Sequence, residues 1–77
     1  MSPEQADRAI TLSRHTLGIY GNMTRAGTWP TGDLPLMQGE VEKLEAIAEE
    51  HPGKALKIET LIESWRAMIE AVRGKLS

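Results

Sequence analysis

Between residues 55 and 76 the apolar positions fall into a single register. Ala55, Ile58, Ile62, Trp65, Ile69, Val72 and Leu76 recur at spacings of 3, 4, 3, 4, 3 and 4 residues. An α-helix returns to the same face about every 3.6 residues, so these side chains form one seam, which Leu61 and Met68 widen. Such a seam must be covered by other helices, and the chain has few residues left to do it. A chain of 77 residues makes one domain and buries only about 60% of its unfolded surface, which leaves its stability marginal. There is no cysteine, so no disulfide can help. The two histidines, His15 and His51, lack the spacing of metal ligands. By elimination the seam, Ile58, Ile62, Trp65, Ile69, Val72 and Leu76, is expected to complete the core by homodimerisation or against a partner.

The rest of the chain predicts two more helices. Ser2 suits an N-cap, Pro3 the first helical position, and Gln5 completes a Ser-x-x-Gln capping box. Ala6, Ala9, Ile10, Leu17, Tyr20 and Met23 then give an apolar stripe, so a first helix is expected over residues 3–24. Gly18 and Gly21 interrupt its second half, either as a point of fraying or as a place where another backbone approaches. The segment AGTWPTGDLP is rich in turn formers and sets a loop at 25–33. Asp33 is placed to cap a second helix over 34–50, with Leu34, Met37, Val41, Leu44 and Ala48 facing inward and Ile47 at the border. Pro52 ends it and opens a third helix over 52–75. So short a connection makes helices two and three an antiparallel hairpin. The expected fold class is all-α: one three-helix domain spanning 1–77.

Charge is segregated along the chain. Residues 1–33 balance to zero. Residues 34–51 carry five glutamates against Lys43, a net of −4, and residues 52–77 carry five cations against three glutamates, a net of +2. An acidic helix beside a basic one selects register in a bundle. Nucleic-acid binding is disfavoured, because phosphate affinity needs a basic face. The opening MSPEQADRAI lacks the basic stretch and apolar run of a secretion signal. No segment reaches the roughly 18 apolar residues of a membrane span. The expectation is a cytoplasmic protein without membrane contact.

The chemical motifs are thin. Ser13, His15 and Asp7 supply residue types for nucleophilic catalysis, but helical spacing scatters them around the circumference, so Ser13 and His15 read as surface or border positions. Glu42, Glu45 and Glu49 fall on neighbouring turns, yet no Glu-x-x-His accompanies them as di-iron bundles require. HPGKALK offers a helix amino terminus with Lys54 and Lys57 for an anion, without the phosphate-loop pattern. Neither a catalytic residue, nor a metal ligand, nor a cofactor site is assigned, and the chain is expected not to be an enzyme.

What remains is contact. Trp29, between Thr28 and Pro30, must either plug an open end of the bundle or project as a binding anchor. Trp29, Tyr20, Glu42, Glu45 and Glu49 are the candidate partner-binding residues. The leading expectation is a non-enzymatic interaction module, an inhibitor or regulator that binds another protein. The alternative is a small helix-turn-helix DNA-binding regulator using Arg14, Asn22, Thr24 and Arg25.

Overall fold

The computed structural model describes residues 1–76. Its order is α1 (Pro3–Arg25), a 3₁₀ turn (Thr31–Asp33), α2 (Leu34–Glu50), a 3₁₀ turn (Pro52–Lys54), α3 (Ala55–Arg73) and a closing 3₁₀ turn (Gly74–Leu76). The capping box at the start of α1 is complete: Ser2 Oγ accepts from the Gln5 amide at 3.1 Å, and Gln5 Oε1 accepts from the Ser2 amide at 2.8 Å. α1 then runs without fraying through Gly18 and Gly21. Those glycines admit no second backbone either, since a Cβ at Gly18 would meet nothing within 4 Å and one at Gly21 only the Arg25 guanidinium. The helix stops where Gly27 takes φ +87 and the Thr28 amide reaches back to the Met23 carbonyl at 2.8 Å, a turn that glycine adopts at little cost.

α2 and α3 form the expected antiparallel hairpin, and their contact is the most extensive in the molecule. The direction is visible in the pairing: Glu45 and Ala48 lie against Glu59, Ile62, Glu63 and Arg66 across one groove. Asp33 does not cap α2 with its side chain. Its carboxylate accepts the Tyr20 hydroxyl at 2.9 Å instead. α1 lies across the hairpin, parallel to α3. At its start, Asp7 accepts from Lys54 at 2.8 Å and from Lys57 at 3.2 Å, while the Met1 ammonium meets Glu50 at 2.9 Å.

This placement overturns the argument that the α3 seam exceeds what one chain can cover. Ile58, Trp65 and Val72 are 0% exposed, and Ile62 and Ile69 are buried with them. The cover is Ala6, Ile10 and Tyr20 from α1 with Met37, Val41, Leu44 and Ile47 from α2. Leu76 is a correction: α3 ends at Arg73, the chain tightens into a 3₁₀ turn at Gly74, and Leu76 leaves the seam with 63% exposure. The helical stripe at 55–72 therefore needs no second molecule to be hidden.

Ser13 is the second correction. It is 0% exposed, not a surface or border residue. Its hydroxyl accepts the Trp65 indole N–H at 2.9 Å, so the one polar handle of the largest core side chain is satisfied inside the core. Tyr20 packs its ring edge against the Trp65 ring, with centroids 5.8 Å apart and an interplanar angle of 72°.

Candidate protein-interaction site

Three roughly parallel rods leave three outer faces, and helical spacing together with the contacts above assigns each exposed side chain to one of them. The face shared by α2 and α3 is acidic. Glu42, Glu45 and Glu49 recur along α2 at 3 and 4 residues, and Glu59, Glu63 and Glu70 lie along the adjoining flank of α3. Arg66 and Arg73 are the cations there, which leaves six negative charges against two positive. Arg66 stands 4.0 Å from Glu45, and Arg73 bonds Glu70 at 2.9 Å. Between the two ridges runs an open groove of about 360 Å³ with Ala48 and Ile62 as its floor.

The face shared by α1 and α3 has the opposite sign. Arg14 and Arg25 of α1 lie along the same side as Lys54, Lys57 and Lys75, with Asp7 as its acid. The two lysines beside Asp7 hold its carboxyl below the usual range, the Lys54 hydrogen bond first and Lys57 next. The charge blocks of the linear sequence thus become opposite walls, and like charges on one wall add in their long-range field.

The sequence-predicted residues divide between these surfaces and the interior. Glu42, Glu45 and Glu49 are all exposed and stand together on the acidic wall. Tyr20 belongs to the interior at 9% exposure, and burial, with the Asp33 carboxylate next, pushes its hydroxyl pKa up. Little of its ring is left for a partner. Trp29 is half-buried against the core at the end of the bundle where α1 stops, and the Lys75 ammonium sits 4.6 Å from its ring centroid. It closes that end of the core and shows only part of one surface. Of the residues named for DNA contact, Asn22 accepts a hydrogen bond from Arg25, and the Thr24 hydroxyl bonds the Gly21 carbonyl. A long loop follows them, not the short turn that sets a recognition helix in a groove.

His15 is exposed, whereas His51 is half-buried between α2 and α3, with Nε2 3.9 Å from Glu50 Oε1. The N-terminal ammonium holds the Glu50 carboxyl below its ordinary range. Among the described residues, no three His, Asp or Glu side chains converge as a metal site would require, and no helix is long and apolar enough to cross a membrane. Sequence reasoning missed the lower rim of the acidic groove, Glu59 and Glu63. The signal was present, since both stand opposite the apolar seam of α3, but only the pairing of α3 with α2 brings them beside Glu45. Comparison with protein-family models, curated proteins and solved structures finds no match to this chain.

Proposed function

We propose that this chain is a non-enzymatic helical interaction protein that docks its acidic α2/α3 face on a basic site of a larger protein and inhibits or modulates it. The observation that carries the reading is the wall formed by Glu42, Glu45, Glu49, Glu59 and Glu63 around an open groove floored by Ala48 and Ile62. Charges arranged on one side speed the encounter with an oppositely charged site and orient it, while the apolar floor contributes affinity once water is displaced. The acidic side chains are free to act in this way because the core is completed without them. We further propose that the protein acts in the cytoplasm, where a chain without cysteine loses nothing to a reducing environment, and that it works as a homodimer.

The test is affinity capture from cells of the source organism with the wild-type chain and with the reversal Glu42→Lys, Glu45→Lys, Glu49→Lys. A partner of basic surface, released by moderate salt and absent from the reversed bait, is the expected outcome. Equal recovery on both baits rejects the acidic face. A second reading, contact with nucleic acid, draws on the basic wall of Arg14, Arg25, Lys54, Lys57 and Lys75. It requires a mobility shift that weakens steeply with salt and disappears in Arg14→Glu.

A further inference from the structure

The groove between α2 and α3 holds more negative charge than its own chain neutralises. Its lining is Glu45 and Ala48 from α2 with Glu59, Ile62, Glu63 and Arg66 from α3. Glu59 and Glu63 stand four residues apart on one ridge, and Glu45 and Glu49 four apart on the other. Like charges at that spacing repel and weaken the helix that carries them. Among the described residues, the carboxylates of Glu49, Glu59 and Glu63 have no hydrogen bond or ion pair within the chain. Arg66 is the single cation of the lining, and it is exposed, with Nη2 4.0 Å from Glu45 Oε2, too far for a hydrogen bond. A chain this small has little stability to spare. Uncompensated repulsion on both ridges of one groove therefore marks a surface shaped for something other than folding.

We infer that this groove seats an arginine side chain of the partner, and that Arg66 keeps the place until it arrives. The inference rests on the acidic face being the docking surface, and it names the group that anchors the contact. The floor and the rims call for two different properties in one side chain. Ala48 and Ile62 offer an apolar bed for an aliphatic stem, and the carboxylates above them offer acceptors for a charged head. Ala48 opens the space, since it presents only a methyl group where a longer side chain would fill the groove.

The acids stand on two ridges, and among the described residues they do not converge as metal ligands. A guanidinium, planar and with five donors, serves carboxylates on both ridges at once, whereas an ammonium is a compact and strongly hydrated point charge. The volume of about 360 Å³ is near the small end of enclosed ligand sites. It takes one long side chain and leaves the body of the partner outside. On docking, Arg66 gives up Glu45 and turns to water, a move that its exposure allows.

Amide NMR titration of the full chain tests this with a short blocked peptide carrying one arginine between leucines. Counterparts with lysine and with the neutral isostere citrulline are the controls. The arginine peptide is expected to shift the signals of Ala48, Ile62 and Glu63 saturably, the lysine peptide more weakly, and the citrulline peptide not at all. Glu63→Gln removes one charged acceptor and should weaken arginine binding about tenfold. Ala48→Met fills the floor without changing any charge and should abolish the saturable shifts, with circular dichroism confirming that the bundle is folded. Arg66→Ala should tighten binding about threefold, the scale of one loose surface ion pair.

No shift with the arginine peptide, or shifts centred elsewhere on the molecule, overturns the inference. So does equal binding of the arginine and lysine peptides that Glu63→Gln leaves unchanged. Weaker binding in Arg66→Ala overturns the place-keeping role. The two readings also fail separately. Capture of the partner that is lost in the reversal of Glu42, Glu45 and Glu49 but untouched by Ala48→Met keeps the acidic face and overturns the arginine anchor.

Discussion

Trp65 and Trp29 place the same side chain in two different parts of the molecule. Trp65 sits at mid-height, 0% exposed, its ring edge against Tyr20 and its indole N–H spent on Ser13. Trp29 lies half-buried where α1 gives way to the loop, with a lysine over its face. Trp65 is wholly withdrawn from water, and its one polar group is matched by a residue of another helix. Around Trp29 one side of the ring rests on the core and the other meets a flexible cation. The difference teaches where the stability of a small bundle resides: at the level where all three helices contribute to one cluster, and far less where the chain merely closes over an end.

The sharpest way to break that contrast is Trp65→Ala. Removing a wholly buried aromatic costs about 3–5 kcal/mol, which is comparable to the whole stability of a core this small. Loss of helical circular dichroism at room temperature is expected, and a variant that stays folded with an unchanged melt would show that the centre is not where stability is concentrated. Ser13→Ala comes next. It strands the indole N–H in apolar surroundings at a cost of about 1–3 kcal/mol. Its urea midpoint should fall while the slope of the transition holds, and the emission of Trp65 should change. The smallest effect belongs to Trp29→Ala, about 1 kcal/mol for a ring that is only partly withdrawn from water. A loss at Trp29 equal to that at Trp65 would erase the distinction between the two regions.

Much of this architecture could be read from the residues themselves. Ser2, Pro3 and Gln5 announce the first helix through hydrogen bonds made within four residues, and Pro52 announces the hairpin by what it cannot do. Such local chemistry does not depend on the remainder of the fold. The seam from Ile58 to Val72 was equally plain, because period alone defines it. Whether the chain could cover that seam by itself was not plain. The answer depended on Ala6, Ile10 and Tyr20 arriving at the right height, and that height is a property of packing.

Ser13 shows the same limit most clearly. A serine between Leu12 and Arg14 looks like a surface residue until an indole fifty-two positions later is found beside it. Leu76 fails for the reverse reason: its spacing continues the seam, but the backbone does not continue the helix past Gly74. At the candidate site, Glu42, Glu45 and Glu49 were legible as one ridge by spacing. Glu59 and Glu63 became part of the same wall only through the tertiary contact of α2 with α3.

A bundle of three rods can be wound in two mirror arrangements, with the last rod docking to the left or to the right of the first pair. Interchangeable aliphatic side chains discriminate weakly between them, since Ile, Leu and Val pack tolerably in either. The Ser13 to Trp65 hydrogen bond is not interchangeable. It joins one oxygen to one nitrogen across α1 and α3, and a packing that slides one helix along the other leaves both groups dry and unmatched. The ion pairs of Asp7 with Lys54 and Lys57 hold the same two helices near their starts. A single hydroxyl in an otherwise oily interior thus ties α1 to α3 at one height, which favours the winding that keeps the pair together.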